Sequence, residues 1–489
     1  MFIKELLVSN FKGFSGAQPT LTFNVPDGTL GSGLNVFVGE NNTGKSTLLE
    51  AVDFLRNGTR KSVDLIKNKN TAGEAIIELV FEGGIVEVID AFSQENKKNV
   101  FKKYVFGDDG NLLKLRRDTE NLQAIRLWES ASNEFKNESG IDAPTKKLFE
   151  TNFVWADTNP NDEVAFGAST ICGHLLKEIS TGIVETDEYR AFTDSFHRTF
   201  NSDESALKKA LRDIENETKQ IFQDQFGNGE IGFRFDELKP DSFFKNVGID
   251  VDDGVKTSIA EKGSGMQRAV ALAMLQVYAN RLVKHPDGGE VTKPFFLFID
   301  EPEVCLHPKA QEKLLGALLE ISKIKQVFLT THSPFFLATK ALSKIGLYIF
   351  KRTEDGFSIE PVSEQNKLLP WSPTWGEINF RAYQLPTVEF HNELYGRLQE
   401  ISGAWKTKAF DEWLNQQGVD KSRQWTRENN GVAGQAANVT LQTFIRNKIH
   451  HPENTTMQAA EYSTDELSDS IEKMMALITT NAHVVTTED

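Results

Sequence analysis

The distribution of apolar residues along the chain predicts strands that alternate with helices. Three short, nearly continuous apolar runs, at 34–38, 295–299 and 326–329, read as strands buried on both faces, and each is followed by polar residues. After the first run, from Thr47 onward, the pattern is that of a helix with one apolar face. Strands that are apolar on both faces are typical of a parallel sheet covered by helices. The pattern therefore predicts an α/β fold.

A second group of segments alternates apolar and polar residues and predicts antiparallel strands. Phe2–Val8 reads as a strand with Leu21–Val25 as its hairpin partner, and 75–89 and 100–106 read as parts of an antiparallel meander. The predicted sheet is therefore mixed, with parallel and antiparallel strands and helices around them.

The middle and the end of the chain carry helical patterns. From about residue 121 to 226 the pattern is helical, most clearly over Glu204–Phe226, where apolar residues recur at three- and four-residue steps. Helical patterns return from Thr387, after a connector rich in proline and tryptophan. The predicted organisation is an α/β domain formed by 1–110 and 240–365, a mainly helical insertion over 111–239, and a helical C-terminal domain over 370–489.

Composition and charge narrow the function classes. At 489 residues with 39% hydrophobic side chains, the chain can fold around more than one core. Its net charge of −16 disfavours permanent nonspecific DNA binding. Cys172 and Cys305 are far apart in sequence, so neither a disulfide framework nor a cysteine zinc site is expected. No signal-peptide pattern and no apolar stretch of about 18 residues occurs, so we expect a cytoplasmic protein without membrane contact.

A phosphate-binding loop is predicted at Gly39–Ser46, which fits the pattern G-x-x-x-x-G-K-[ST] between a predicted strand and a predicted helix. Glycines let the backbone approach a phosphate, and the N-terminus of the following helix favours an anion. Lys45 can reach the β- and γ-phosphates, and the Ser46 hydroxyl can bind Mg²⁺. The residues predicted to bind nucleotide in this segment are Gly39, Asn41, Asn42, Thr43, Gly44, Lys45, Ser46 and Thr47.

An aromatic side chain near such a loop can stack on the nucleotide base. Phe11 and Phe14 follow the first predicted strand and are candidates for this role. Both could equally pack into the sheet, and the sequence does not decide between the two readings.

A second anion-binding helix N-terminus is predicted at Ser264 and Gly265, directly before a strongly helical run. Small residues there allow a phosphate to approach, and Gln267 lies in the first turn. This reading makes all three residues nucleotide-binding residues. The alternative reading is an ordinary capped helix of the core.

The two other apolar strands also end in residues that suit a phosphate site. Asp300 and Glu301 lie at the carboxyl end of the second strand, where ligands of open α/β sheets bind. A buried carboxylate pair is costly without a cation, whereas Asp300 can bind Mg²⁺ with Ser46, and Glu301 can orient or deprotonate a water. His332 follows the third strand and could reach a γ-phosphate, although a lone loop histidine is more often only solvated or hydrogen-bonded. The predicted catalytic residues are Glu301 and His332, and the predicted metal ligands are Ser46 and Asp300.

These four stretches, in this order, resemble the ABC-type ATPase heads of the Rad50, SMC, RecF and OLD-type nuclease families. The resemblance covers about residues 1–110 and 240–350. It departs from the family pattern at Gly263, where leucine is usual, and no Q-loop glutamine can be placed. In family terms, Gly39–Ser46 corresponds to Walker A, 264–267 to the signature motif, 296–301 to Walker B, Glu303–His307 to the D-loop region and His332 to the switch histidine.

The resemblance implies an ATPase that converts ATP to ADP and phosphate, with ATP and Mg²⁺ as cofactors. It further implies that two heads join, so that Ser264 and Gly265 of one subunit complete the site built on Lys45 of another. We therefore expect a homodimer or a higher homo-oligomer formed through the ATPase heads.

The C-terminal segment contains a second candidate site. Arg446, Asn447 and His451 resemble the R-N-x-x-x-H motif of HEPN-type RNases, in which arginine holds phosphate and histidine moves a proton. Pro452 directly after the histidine departs from the usual helical continuation. The alternative reading is that Arg446 and His450, four residues apart, fix a turn or a subunit contact.

An ATPase head with a helical insertion, a helical tail and no recognisable Toprim segment resembles the ATPase subunits of two-gene bacterial anti-phage systems, such as Septu (PtuA) and PARIS (AriA). This resemblance implies an oligomeric, ATP-hydrolysing sensor or scaffold that controls a separate nuclease effector, with nucleic acid or a phage component as a conceivable trigger. A HEPN-like RNase gated by its own ATPase head and a RecF-like DNA-repair ATPase are the alternatives.

Tryptophan is concentrated in the C-terminal segment. Five of the seven tryptophans follow residue 370, and this residue type is common both at protein interfaces and in cores. The segment is therefore predicted to recruit or restrain a partner, with core packing as the alternative. The five residues are Trp371, Trp375, Trp405, Trp413 and Trp425.

Overall fold

The computed structural model divides the chain into two compact units, one formed by Met1–Ala156 with His285–Asp489 and the other by Asp157–Lys284. The described residues are 1–156, 183–184, 186–226, 235, 247–263, 265–267, 269–271, 273–274, 277, 293–304, 306–353, 356–363, 367–429 and 431–485.

The elements before residue 157 are β1 (Phe2–Ser9), β2 (Leu21–Thr22), β3 (Leu34–Val38), α1 (Lys45–Asn57), β4 (Ile76–Glu82), α2 (Ile85–Phe92), α3 (Glu95–Lys102), β5 (Val105–Phe106), β6 (Leu112–Asp118), β7 (Arg126–Glu129), β8 (Glu134–Lys136), α4 (Asp142–Leu148) and β9 (Glu150–Val154). In the second unit the named elements are α5 (Asp187–Phe196), α6 (Ala206–Phe226), β10 (Asp250–Asp252) and β11 (Lys256–Ser258). The later elements are β12 (Phe295–Asp300), α7 (Pro308–Ile321), β13 (Gln326–Thr331), β14 (Gly346–Thr353), β15 (Gly356–Val362), α8 (Trp375–Tyr383), α9 (Val388–Ser402), α10 (Thr407–Gln416), β16 (Arg423–Asn429), β17 (Val432–Val439), α11 (Leu441–His450) and α12 (Thr464–Val485).

One sheet carries the three strands that the apolar runs predict. Its strand order is β15-β14-β3-β13-β12-β9, and every neighbouring pair is parallel except β14 with β15. All residues of β3, β12 and β13 are buried, and the rings of Phe298 and Phe328 stack with centroids 4.6 Å apart. Because β3, β13 and β12 are parallel neighbours, their carboxyl ends meet at one edge of the sheet.

The second sheet is antiparallel, in the order β2-β1-β4-β6-β7-β8, and β5 pairs with β6. The pairing of β1 with Leu21–Thr22 confirms the predicted hairpin. The meander predicted over 75–89 and 100–106 needs correction, because β4 ends at Glu82 and the chain continues into α2 and α3. The buried residues of α2 are Ile85, Val88 and Ile89, and their spacing fits a helix. In the sequence, however, a short apolar run of this kind does not distinguish a helix from a strand.

The predicted helical insertion over 111–239 is corrected at its start. Strands β6 to β8 extend the antiparallel sheet, and β9 pairs in parallel with β12, so the chain up to residue 154 belongs to the α/β domain. The partner of β9 lies 145 residues later, since Glu150 pairs with Phe295, and local periodicity cannot reveal such a pairing. Within the second unit the described helices α5 and α6 agree with the predicted helical pattern.

The C-terminal part has a core of its own, formed by α9 to α12 and the hairpin β16–β17. At its centre His391 is fully buried, its Nε2 lies 3.0 Å from Ser470 Oγ, and burial lowers the pKa of the imidazole to about 3. The hairpin was not predicted, since nearly all of β17 is exposed and shows no apolar alternation. The pair Asn430-Gly431 was its available signal, because Asn-Gly favours tight hairpin turns.

None of the described helices has the length and apolar character needed to cross a membrane.

A buried amide links the two sheets. Gln326, the first residue of β13, accepts a hydrogen bond from Ile3 N (2.8 Å) and donates to Ile3 O (2.7 Å) and to Asn24 O (3.0 Å). Its side chain therefore satisfies backbone groups of β1 at a point where the pairing of β1 with β4 shifts register.

We expect Gln326→Leu to lower the free energy of unfolding by about 2–4 kcal/mol, because it leaves the buried N–H and C=O of Ile3 without partners. Chemical denaturation measures the change. Gln424→Leu, at an exposed position of β16, is the matched control and should be nearly neutral. Equal stability of the two variants would show that this amide does not hold the sheets together.

Candidate functional site

The loop after β3 has the backbone conformation of a phosphate loop. Asn42 and Gly44 have positive φ values of 60° and 94°, and Gly44 caps the N-terminus of α1. Successive backbone N–H groups in turns that contain such left-handed residues can form a nest that binds an anion. A Cβ atom on Gly39 would lie 2.4 Å from the carbonyl oxygen of Phe350, so the chain needs glycine there.

Lys45, the first residue of α1, points back into this loop. Its Nζ donates to Gly39 O (3.0 Å) and Glu40 O (2.8 Å), and the residue is 3% exposed. Burial lowers the pKa of the Lys45 ammonium, and the carboxylates of Glu301, Glu303 and other neighbours oppose that shift. The loop thus presents a cation beside the carboxylates at the end of β12.

The start of α1 is joined to the ends of β12 and β13 through one carboxylate. Asp300 Oδ1 accepts from Ser46 Oγ (2.8 Å) and from Thr330 Oγ1 (2.6 Å). The Glu301 amide donates to the same Thr330 hydroxyl (3.0 Å). Thr330 is a site residue that sequence reasoning missed, although it lies in the polar end of a predicted strand.

The donor set of Ser46 and Asp300 fits Mg²⁺. A hydroxyl and a carboxylate oxygen are hard ligands, and magnesium bound with a nucleotide takes only one or two protein groups beside phosphates and waters. Within the described part of the chain, no group of three or more His, Cys, Asp or Glu could hold a metal ion by itself. The residues present therefore suit a metal that arrives with a nucleotide.

Two carboxylates flank His332 at the end of β13. Its Nδ1 lies 3.6 Å from Glu301 Oε1 and 3.3 Å from Glu303 Oε1. Glu303 Oε1 also accepts from Thr331 Oγ1 (2.8 Å) and from the His332 amide (2.7 Å). Glu301 has a positive φ of 46°, a strained conformation for this residue type. The sequence singled out Glu303 only as part of a region, although Glu-Pro-Glu after the strand was a usable signal.

The aromatic candidates Phe11 and Phe14 are in the core. They are 1% and 0% exposed, with Phe11 packed on Phe54 and Phe14 on Phe357. In the structure both side chains therefore pack into the sheet, which is the second of the two readings. Phe357 of β15 is the aromatic residue that adjoins the phosphate loop, since a Cβ on Gly44 would lie 2.5 Å from its ring.

The second predicted anion site lies in the other compact unit. Ser264 is outside the described residues, and Gly265 and Gln267 are in a helical segment. The Gln267 amide is buried and donates to Ile259 O (3.1 Å), Ala260 O (3.3 Å) and Lys262 O (2.9 Å). Through these contacts Gln267 holds the chain segment that precedes its own helix. A nucleotide contact by Ser264, Gly265 or Gln267 stays a prediction.

The C-terminal motif lines a cleft of about 1210 Å³ between α11 and the hairpin β16–β17. Arg446, Asn447 and His451 all border it. Arg446 donates to Asn447 Oδ1 (3.2 Å), and His451 Nδ1 lies 3.1 Å from Glu453 Oε1. Helix α11 ends at His450, just before His451 and Pro452, as the proline predicts. Burial, followed by the charge of Arg446, lowers the pKa of His450.

The site combines a phosphate loop with a serine and an aspartate that are bonded to each other, and with carboxylates that flank them. This combination defines the class of P-loop ATPases. The chain belongs to the family described as AAA domain, putative AbiEii toxin, Type IV TA system, whose model matches residues 34–338. This match confirms the prediction of a P-loop ATPase head.

Two curated relatives are similar to this chain. The Old nuclease of Escherichia phage P2 is 26% identical over 62% of this chain, and the match spans 53% of that protein, about half its length. The Septu protein PtuA of Bacillus thuringiensis is 23% identical over 71% of this chain and 75% of that protein. Among solved structures, the Smc head domain with an extended coiled coil bound to the C-terminal domain of ScpA, from Pyrococcus furiosus, is 16% identical, covers 74% of this chain and 97% of that chain, and has a TM-score of 0.43.

We expect Thr330→Val to weaken the Mg²⁺-dependent part of ATP binding about tenfold, because Asp300 and the Glu301 amide each lose a hydrogen-bond partner. Calorimetric titration of ATP with and without Mg²⁺ measures this. Thr353→Val, at an exposed position of β14, is the control. A Thr330→Val protein with unchanged Mg²⁺ dependence would separate this hydroxyl from the metal site.

Proposed function

We propose that this chain binds and hydrolyses ATP with Mg²⁺, and that it acts as an oligomeric sensor or scaffold controlling a separate nuclease effector in anti-phage defence. The observation that carries the ATPase part is the bonding of Ser46 to Asp300, with Glu301 and His332 at the adjoining strand ends. The likeness to the Septu protein PtuA supports the defence role.

Each residue of the site has a chemical task in this proposal. Lys45 neutralises phosphate charge, while Ser46 and Asp300 hold the magnesium ion, which supplies charge stabilisation at the phosphates. Glu301 orients the attacking water and accepts its proton, and His332 contacts the γ-phosphate. In-line transfer of the γ-phosphoryl group to water then yields ADP and phosphate.

The proposed oligomer rests on the resemblance to ABC-type heads and on the place that this resemblance gives to the signature motif. Ser264 and Gly265 of one subunit would close the site built on Lys45 of another, and ATP would hold the two heads together. The exposed tryptophans of the C-terminal part suit the binding of a partner protein. Trp371, Trp375 and Trp405 are 49%, 37% and 69% exposed.

We expect Lys45→Ala to weaken ATP binding at least about tenfold, because the phosphates lose a charged hydrogen-bond donor. Glu301→Gln should keep ATP affinity, lower kcat at least about 100-fold and increase the ATP-bound dimer in sedimentation velocity, because the amide cannot accept the proton of water. Lys309→Ala and Glu312→Gln, both at exposed positions of α7, are the controls. Unchanged turnover in Glu301→Gln would remove this residue from the mechanism.

A second candidate function is RNA cleavage in the C-terminal cleft. The observation in its favour is that Arg446 and His451, five residues apart, border the same cleft, where a guanidinium could hold a phosphate and an imidazole could move a proton from a 2′-hydroxyl. Arg427 and Lys408 also border the cleft and add positive charge.

If the cleft is an RNase site, Arg446→Ala with His451→Ala should abolish RNA cleavage by the purified protein, while oligomer size stays unchanged. Cleavage of labelled RNA and mass photometry measure the two properties. Arg423→Ala with His450→Ala is the control pair, since neither residue borders the cleft. A wild-type protein that cleaves no RNA would leave Arg446 and His451 as structural contacts.

A further inference from the structure

Helix α8 is bonded to the chain on both sides of His332 by its first and last residues. The Trp375 indole N–H donates to the carbonyl oxygen of Pro334 (3.1 Å), and the Tyr383 hydroxyl donates to the carbonyl oxygen of Thr331 (3.3 Å). Thr331 directly precedes the histidine, and Pro334 follows it by two residues. One helix of the later part of the chain thus holds the segment that carries a candidate catalytic residue.

His332 is also held through its backbone amide, which donates to Glu303 Oε1 (2.7 Å). Its Nδ1 is close to Glu301 and Glu303 but makes no hydrogen bond with acceptable geometry among the described residues, and the same holds for Glu303 Oε2. Both atoms are buried. Because no bond from Nδ1 anchors the ring, the direction of the imidazole depends on where the backbone of residues 331–334 is held.

The Tyr383 hydroxyl is suited to a permanent donor role. Burial, and after it the negative charge of Glu303, raises the pKa of the phenol. The hydroxyl therefore keeps its proton and continues to donate to the strand end.

Other residues of α8 fix it to the C-terminal core. The rings of Phe380 and Phe390 are 5.9 Å apart, and a Cβ on Gly376 would lie 2.8 Å from Phe390 Cβ, so α8 packs closely on α9. Glu377, which is fully buried, accepts from Ser372 and from Arg381 Nη1 (2.7 Å). A close-packed contact of this kind transmits displacement, because interiors have little room to absorb it.

We propose that α8 is a positioning element for His332, through which the C-terminal domain sets the turnover rate of the ATP site. Trp375 and Tyr383 are the positioning residues, and they act on the backbone that carries the imidazole without touching the nucleotide. A partner bound to the C-terminal domain would change ATP turnover by moving α8. This inference rests on the proposed ATPase function.

The test uses Tyr383→Phe, Trp375→Phe and the double variant, which remove the donors and keep aromatic side chains. Each single variant should lower kcat about three- to tenfold, the effect of one lost hydrogen bond, while the Kd for ATP stays within about twofold. The double variant should lose more than either single variant. If Trp375 and Tyr383 only stabilised the fold, the variants would lose stability but would not show a lower kcat at an unchanged Kd for ATP.

Two controls match the substitutions in residue type. Tyr395→Phe removes a buried hydroxyl that lies 3.3 Å from Thr443 Oγ1, in the core and away from β13. Trp128→Phe changes a half-buried tryptophan on β7, whose ring centroid lies 5.0 Å from that of Phe135. Thermal unfolding of every variant shows whether a loss of kcat accompanies a loss of fold, and both controls should keep the wild-type kcat at full folding.

The outcomes separate this inference from the proposed function. If wild type hydrolyses ATP, Lys45→Ala does not, and the α8 variants turn over at the wild-type rate, the positioning role is overturned and the ATPase proposal stands. If Tyr395→Phe loses as much kcat as Tyr383→Phe, the effect belongs to the domain as a whole and the inference fails. If wild type hydrolyses no ATP, the proposed function fails and the inference falls with it.

Discussion

The carboxylate of Asp300 is the group on which the arrangement of the candidate ATP site depends. It is 5% exposed, and one of its oxygens accepts from hydroxyls of α1 and β13. A buried charge is costly unless hydrogen bonds or a cation compensate it, so the phosphate loop and the ends of β12 and β13 are tied to one geometry. The parallel pairing of β3, β13 and β12 makes this geometry available, because it brings their carboxyl ends together.

The strain and burial around this carboxylate are concentrated where chemistry is proposed. Glu301 holds a left-handed backbone conformation, Lys45 is buried against two carbonyls, and Glu303 accepts from Thr331 and His332. Groups of this kind are retained at functional sites because the surrounding structure holds them in place. Here the surrounding structure includes α8, so the candidate ATP site and the C-terminal core share a boundary.

Sequence reasoning found residues that the structure brings together where the prediction depends on residue type at short spacing. The phosphate loop, Asp300, Glu301 and His332 are each found within one strand and the few residues after it, and the structure brings them to one edge of the sheet. It failed where local patterns are ambiguous. Helix α2 was read as a strand, and the hairpin β16–β17 was missed because exposed strands carry no apolar alternation.

The sequence by itself determined the class of protein, the three buried strands and the residues of the phosphate loop, because these follow from residue type and local periodicity. Only the tertiary structure decided the start of the inserted unit, the roles of Thr330 and Glu303, the burial of Phe11 and Phe14 and the bonding of Trp375 and Tyr383 beside His332. These features depend on strand register and on contacts between residues that are mostly far apart in the chain. No local pattern encodes such contacts, since they form only when the sheet and the two cores pack together.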